Sequence, residues 1–308
     1  MKEFRLGLIG AGHWGRAYIR TIAGLPGMRL ARVASRNPET AALVGKRCVV
    51  CADWRGVASA PDLDGVIIAS PPALHAQMAS ACLEARRPVL VEKPLTMSVA
   101  EAEALVAMAN HLGGFVLVDH TYLFHPAYLE LKRRVRAFGK PRLIRSEGGQ
   151  SGPFRRDAGP LWDFGSHDVA VALDLVGRGP SVVEAVSERR AQGEVIDIRL
   201  DFPGGARAEL RVGNGFETRR RKFSVVFGDR ELTFDDAGGR PLVQSPLDAQ
   251  GRPAGAAEEI PVGVALPLTR AVEAFAEAVR AGSKDLSSLE LGAAVVGVLA
   301  RCEASKRG

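Results

Sequence analysis

Hydrophobic residues follow two regimes along this chain. Over roughly the first 120 positions, short apolar runs at 4–9, 29–34, 66–69, 89–91 and 115–118 are separated by longer, helix-like stretches. The runs are rich in Val, Ile and Leu and too short for helices, so they read as buried strands; segments ending near 23 and spanning 73–85 and 98–112 read as helices. Ser98 with Glu101 three residues on forms a capping box for the last of these, and Gly113-Gly114 ends it. Strand–helix alternation of this kind specifies an α/β architecture with a parallel, doubly wound sheet. From Thr121 the alternation stops. A helix over 127–137, a strand over 142–147 and a helix opened by Gly159-Pro160 lead to strand-like segments at 181–188, 195–202, 206–212, 222–227 and 231–235. Short turns such as Pro203-Gly204-Gly205 join them, which predicts a mostly antiparallel open sheet. Residues 243–264 read as loop, and helices over 268–281 and 288–305 close the chain. The expected division is an α/β domain over 1–120 and an α+β domain over 121–308.

The first strand runs straight into Gly10-Ala11-Gly12-His13-Trp14-Gly15 and then a helix. This is G-x-G-x-x-G in the context that gives it meaning, after a strand and opening a helix. Gly10 permits the tight turn, Gly12 lets the backbone approach a pyrophosphate, and Gly15 lets helix and strand pack closely. The helix amino terminus offers free N–H groups and partial positive charge to phosphates. A dinucleotide-binding Rossmann domain is expected, with His13 and Trp14 counted among the cofactor residues. The second strand ends in Ser35-Arg36, where an NAD-selective site carries a carboxylate for the ribose 2′-hydroxyl. Ser35 removes that carboxylate and Arg36 can pair with a 2′-phosphate, so NADP is favoured over NAD. The alternative is an ordinary surface arginine and an enzyme that takes either cofactor.

Two further strand ends carry polar residues. Ser70-Pro71-Pro72 follows the strand at 66–69 and precedes His75, a helix-start residue or a cofactor contact. Val89-Leu90-Val91 is followed by Glu92-Lys93-Pro94, which sets a carboxylate and an ammonium at the carboxyl end of a parallel strand, where ligands gather in such sheets. Pro94 disfavours helix at Lys93 and fixes where the ammonium is delivered. A solvated charged pair is the plainer alternative. In the second half, Asp163 and His167 lie four apart at the start of a helix, so they share a face that Asp174 joins. A polar stripe that meets water explains the same spacing.

Composition narrows the field. The 308 residues are 46 % hydrophobic and 25 % charged, as in a globular protein. The net charge of +6 comes from scattered arginines, the densest run being Arg219-Arg220-Arg221-Lys222 beside the alternating strand at 223–227; that placement fits an edge or solvated face and not a nucleic-acid patch. Cys48 and Cys51 have redox spacing but occupy a short apolar strand, and four scattered cysteines make no disulfide framework, so a reducing cytoplasm is expected. No signal-peptide pattern opens the chain, the 65–83 stretch is split by Pro71-Pro72 and is no membrane span, and no metal site is read.

Taken together, Gly10-Ala11-Gly12-x-x-Gly15, Ala69-Ser70-Pro71-Pro72-x-x-His75 and Glu92-Lys93-Pro94 resemble the glucose-fructose oxidoreductase/inositol dehydrogenase/rhizopine-catabolism (Gfo/Idh/MocA) oxidoreductases. The resemblance continues through Asp119-His120-Thr121-Tyr122 and the 161–168 segment to the terminal helices. It implies an NAD(P)-dependent dehydrogenase of a sugar, inositol or nucleotide sugar, with cofactor contacts from Gly10, Gly12, His13, Trp14, Gly15, Ser35, Arg36, Ser70, Pro71, Pro72, His75, Glu92 and Lys93. It also implies acid–base chemistry by Lys93 and His167 converging on a nicotinamide, Asp163 as orienting group, and a homo-oligomer formed through the second domain's sheet. Tyr122, Arg155 and Arg156 are candidate substrate contacts. A free lysine titrates near ~10.4, so it needs burial or a neighbouring cation to serve as a base at neutral pH. Two alternatives keep the motifs: a redox-neutral, NAD-dependent glycoside hydrolase or lyase, and a non-catalytic NADP-binding sensor.

Overall fold

The computed structural model describes residues 3–152, 157–236 and 242–307. They cluster into two compact units, Met1–Thr121 with Leu266–Val296, and Tyr122–Ala265 with Gly297–Gly308. The first contains β1 (Phe4–Ile9), α1 (His13–Ala23), β2 (Met28–Ala34), α2 (Thr40–Val44), β3 (Val49–Cys51), α3 (Arg55–Ala58), β4 (Gly65–Ile68), α4 (His75–Glu84), β5 (Val89–Glu92), α5 (Val99–Leu112) and β6 (Val116–Asp119). Its strands pair in the order β3-β2-β1-β4-β5-β6, all parallel. Every residue of β4, β5 and β6 is buried, which is why these segments read as unbroken apolar runs instead of alternating ones. The capping box forms as expected, Ser98 Oγ accepting from the Glu101 N–H at 3.5 Å, and Gly113 closes α5 in the left-handed conformation. Strand order reverses between β1 and β4, so the turns that follow these two strands flank the switch point where such sheets bind ligands.

The second unit holds α6 (Pro126–Phe138), β7 (Leu143–Ser151), a wide π turn at Leu161–Gly165, α7 (Ser166–Val176), β8 (Val182–Arg190), β9 (Gly193–Asp201), β10 (Arg207–Gly213), β11 (Gly215–Phe227), β12 (Arg230–Asp235), β13 (Leu242–Pro246) and β14 (Glu258–Glu259). These strands form one sheet in the order β14-β13-β12-β11-β7-β10-β9-β8, antiparallel among the described residues except for β7–β10. Helix α7 packs on β7 and β10 and is buried from Ser166 to Leu173.

Three expectations require correction. Residues 243–264 are not wholly loop: β13 and β14 extend the sheet, held by backbone pairing with little apolar patterning beyond Leu242. The arginine run at 219–222 is solvated only in part: Arg219, Arg220 and Lys222 are exposed as expected, whereas Arg221 is buried. The last helices, α8 (Pro267–Arg280) and α9 (Ser287–Ser305), do not cluster wholly with the second half. Helix α8 buries Val272 and Phe275 in the first unit, with Phe275 stacked on Phe115 at 6.0 Å between ring centroids. Ser288 Oγ accepts from the Val118 N–H on edge strand β6 at 3.0 Å.

Candidate active site

The glycine turn is built as its spacing demands. Gly10 has φ +97°, and a Cβ there would lie 2.5 Å from the Ala69 carbonyl oxygen; a Cβ on Gly15 would lie 2.1 Å from the Gly10 oxygen. Gly12 is different: it is exposed, and a Cβ there meets nothing within 4 Å. It caps α1 with no side-chain hydrogen bond, and no acidic residue stands in the first turn, so the N–H groups of α1 are available to an anion. This open, uncapped cradle fits a dinucleotide pyrophosphate. His13 is exposed and Trp14 half-buried beside it, their rings edge to face at 5.7 Å. Ser35 Oγ accepts from Thr40 Oγ1 at 2.8 Å and from the Asn37 N–H at 3.1 Å, which folds the turn after β2 and leaves Arg36 exposed.

Across the switch point, Ser70 is half-buried, Pro71 exposed and Pro72 buried. His75 is 0 % exposed, its Nδ1 2.9 Å from the Pro94 oxygen and its Nε2 2.9 Å from the Ser70 oxygen. It therefore ties the Ser70 turn to the Lys93-Pro94 turn, whose peptide bond is cis. Glu92 and Lys93 are 4 % and 2 % exposed, so they are not a solvated pair; Glu92 Oε2 accepts from the Lys93 backbone N–H at 3.2 Å. Glu92 is in register with Asp119 on β6, which accepts at Oδ2 from the Tyr18 hydroxyl at 2.5 Å. Burial pushes the Asp119 carboxyl up to about 6, opposed by the Tyr18 and Thr121 hydroxyls and by the charge of Lys93. Burial also drives the Tyr18 phenol well above its ordinary range, with Asp119 and Glu92 adding to the rise.

In the second unit, His167 is 9 % exposed and packs edge to face on Tyr122, ring centroids 5.0 Å apart. Tyr122 also meets Phe223, ring centroids 6.4 Å apart, and Arg221, whose guanidinium carbon lies 4.2 Å from the ring centroid. Arg221 Nη1 donates to Asp168 Oδ2 at 2.7 Å, and the two side chains are 5 % and 0 % exposed. Burial pushes the Asp168 carboxyl up against the pull of Arg221 and Ser146. Burial opposes the charged form of Arg221, yet Asp168 and Tyr122 outweigh it and hold the guanidinium above its ordinary range. Space for the pair comes from Gly148, where a Cβ would stand 2.6 Å from Asp168 Oδ2 and 2.9 Å from Arg221 Nη1. Asp163 is half-buried within the π turn, so α-helical spacing to His167 does not apply. Asp174 does not join them: it accepts from the Tyr128 hydroxyl and from Lys132 Nζ at 2.7 Å, tying α7 to α6. Arg155 and Arg156 lie outside the described residues.

A family model described as oxidoreductase family, NAD-binding Rossmann fold (GFO_IDH_MocA), matches residues 4–120. Inositol 2-dehydrogenase 2 of Saccharopolyspora erythraea is 32 % identical over 70 % of this chain and 69 % of its own length. The chain belongs to the Gfo/Idh/MocA oxidoreductases. A crystal structure of a suspected oxidoreductase from Magnetospirillum magnetotacticum MS-1 is 44 % identical, with TM-score 0.90, covering 98 % of this chain and 100 % of that one. UDP-N-acetylglucosamine 3-dehydrogenase from Acidithiobacillus ferrooxidans is 25 % identical in its solved structure, with TM-score 0.86, covering 99 % and 98 % of the two chains.

As a Gfo/Idh/MocA oxidoreductase the protein is NAD(P)-dependent, and the two expected glycine-turn clashes and the open Gly12 cradle agree with that. Sequence reasoning gave no role to Tyr18, Asp119, Asp168, Arg221 or Gly148. A signal existed for two of them: Tyr18 shares the buried face of α1 with Ile19 and Ile22 and needs a hydrogen-bond partner, and Asp119 ends an otherwise apolar strand just as Glu92 does. Among the described residues no group of three or more metal-ligating side chains gathers, and the four cysteines are free thiols. Cys48 is pushed up to about 11 by burial, far from a reactive thiolate.

Proposed function

We propose that this oxidoreductase transfers a hydride between nicotinamide C4 and a hydroxyl-bearing carbon of a sugar, inositol or nucleotide sugar, with NADP favoured over NAD. The observation that carries the reading is the pairing of a 2 % exposed lysine at the carboxyl end of β5 with an open, uncapped glycine turn at the switch point of the same sheet. The names of the relatives support the substrate class: they include inositol 2-dehydrogenases, the UDP-N-acetylglucosamine 3-dehydrogenase and a dTDP-3,4-didehydro-2,6-dideoxy-α-D-glucose 3-reductase. The bound dinucleotide would supply the hydride donor or acceptor. The N–H groups that open α1 would hold its pyrophosphate, and the exposed Arg36 would take its 2′-phosphate.

Lys93 and His167 take or return the substrate hydroxyl proton, and Asp163 orients His167 or a second hydroxyl. Burial favours the uncharged form of a lysine, while Glu92 and Asp119 favour its ammonium, so the side chain is poised between opposing fields. Tyr122, edge on to His167, offers its hydroxyl to a sugar. The test is an absorbance screen of sugars, inositols and nucleotide sugars with NAD and NADP. Reduced-cofactor formation or consumption that is lost in Lys93→Met supports the reading; substrate turnover with no net change in reduced cofactor ends it.

Copies of the chain are proposed to associate through the open face of the eight-stranded sheet. A depression of about 670 Å³ lies on that face and is lined by charges of both signs, including Arg145, Glu209, Arg211 and Asp197, which can be matched by a second copy. Sedimentation with Arg211→Glu distinguishes a dimer from a monomer. No helix among the described residues is long and apolar enough to cross a membrane, and a cytoplasmic location is proposed from the free thiols.

A further inference from the structure

The polar groups behind Lys93 include one that the proposed reaction does not use. Asp119 ends β6, is 0 % exposed, and is in register with Glu92. Tyr18 reaches it from α1, the helix that opens at the glycine turn, and is itself 0 % exposed. The titratable groups that act on one another here are Tyr18 from α1, Glu92 and Lys93 from the end of β5, and Asp119 from the end of β6, where buried His120 adjoins it in the chain. Thr121 adds a hydroxyl to Asp119.

Counted as formal charges, the cluster holds one ammonium against two carboxylates, all nearly or fully buried. A buried carboxylate without a cation carries a large desolvation penalty, which a nearby ammonium relieves. Lys93 acts on Asp119 through its charge, and Asp119 must act on Lys93 with the same strength. Deprotonating Lys93 would therefore take from buried Asp119 a positive charge that favours its ionised form. Glu92 directs one oxygen to the Lys93 backbone N–H. Asp119 directs Oδ2 to the Tyr18 hydroxyl, and the Thr121 hydroxyl also favours its ionised form.

We propose that Asp119, anchored by the Tyr18 hydroxyl, is a positioning residue that sets the proton affinity of Lys93 by holding a second buried negative charge beside its ammonium. Burial raises the proton affinity of Asp119 itself, up to about 6, and the charge of Lys93 opposes that rise. The effect on the ionisation of Lys93 stands on the burial of the cluster and the register of Glu92 with Asp119, not on any reaction; its bearing on catalysis rests on the reading of Lys93 as the acid–base group.

The experiment follows Lys93 directly. Protein labelled with ¹³C at the lysine Cε is titrated without substrate or cofactor, the Lys93 resonance being assigned by its absence in Lys93→Arg. Asp119→Asn and Asp119→Ser both remove the charge, keep an oxygen for Tyr18 and differ in shape. In both, the Lys93 midpoint falls by about one pH unit or more. A midpoint within ~0.3 unit of wild type in a folded variant, or one that rises, overturns the proposal. If one variant does not fold, the other decides by the same criterion. Because no turnover is measured, absence of dehydrogenase activity would end the functional proposal while leaving this result in place. A Lys93 midpoint that ignores Asp119 would end this inference and leave the activity untouched.

Discussion

Replacing Arg221 with methionine tests whether the buried ion pair beneath Tyr122 organises the second unit. Arg221 and Asp168 approach to 2.7 Å at 5 % and 0 % exposure. At that distance the attraction is about 6 kcal/mol for an effective dielectric constant near 20. Much of it only offsets desolvation, but removing one partner strands the other charge, which costs roughly 3–5 kcal/mol. The stacking of the guanidinium on Tyr122 is lost as well, about 1–2 kcal/mol for a desolvated contact, part of which overlaps the first figure. The expected loss for Arg221→Met is therefore about 3–5 kcal/mol at neutral pH, read by equilibrium urea unfolding with the emission of Trp162, whose indole Nε1 donates to Glu303 in the same unit. The loss has a pH signature. Burial already raises the Asp168 carboxyl, and Arg221 is among the groups that restrain the rise. Without Arg221 the folded-state proton affinity climbs further. A carboxyl raised in the folded state destabilises when ionised and ceases to do so once protonated, so the deficit is full at about pH 8 and shrinks toward about pH 5. The double variant Asp168→Leu/Arg221→Met removes both charges and recovers most of the loss. A deficit below about 1 kcal/mol, a deficit that is flat with pH, or a double variant no better than the single would refute the reasoning.

Lys93→Met lowers kcat by roughly 10²–10⁴ on any substrate the screen identifies, with dinucleotide affinity by fluorescence titration changed far less. Gly12→Ala folds with an unchanged melting temperature, since its Cβ meets nothing within 4 Å, yet weakens NADPH binding because the methyl group occupies the pyrophosphate's approach. Gly15→Ala, with 2.1 Å between Cβ and the Gly10 oxygen, loses both stability and binding; equal behaviour of the two variants in thermal melts would contradict the geometry. Arg36→Gln lowers the ratio of NADP to NAD catalytic efficiency by about tenfold, the worth of one charge-assisted hydrogen bond.

Much of the first unit was legible because burial on both faces of β4, β5 and β6 writes itself as unbroken apolar runs. The glycines gave the turn because no other residue tolerates Gly10's φ of +97° beside the Ala69 carbonyl. Legibility fails where backbone pairing or charge does the work of hydrophobic pattern. Strand β13 buries Leu242 alone and joins the sheet by pairing with β12. Strand β11 begins at Gly215, not at 222; Arg219, Arg220 and Lys222 are solvent positions as expected, but nothing in the local pattern reveals that Asp168, from another element, waits for Arg221. Helix α7 likewise looked half solvated, but His167 and Asp168 are buried with the apolar residues around them. The polar stripe failed as an argument because its first member, Asp163, is wound into a π turn, and its last, Asp174, serves Lys132 and Tyr128.

The two units share a design that motifs do not record. Beside Lys93 stands Asp119, and beside His167 and Tyr122 stand Asp168 and Arg221; each candidate acid–base residue has a buried, fixed charge as a neighbour. Exposed charges would be screened by water and salt, and their influence on proton affinity would be slight. Buried ones act at low effective dielectric, where a single charge moves a neighbour's proton affinity by whole pH units. The motif Glu92-Lys93-Pro94 thus delivers an ammonium to its place, but the pH at which that ammonium yields its proton depends on residues outside the motif. Two family members with the same motif and different residues at the end of β6 should then differ in pH dependence. Exchanging Asp119 for a neutral side chain in this chain is the direct version of that comparison.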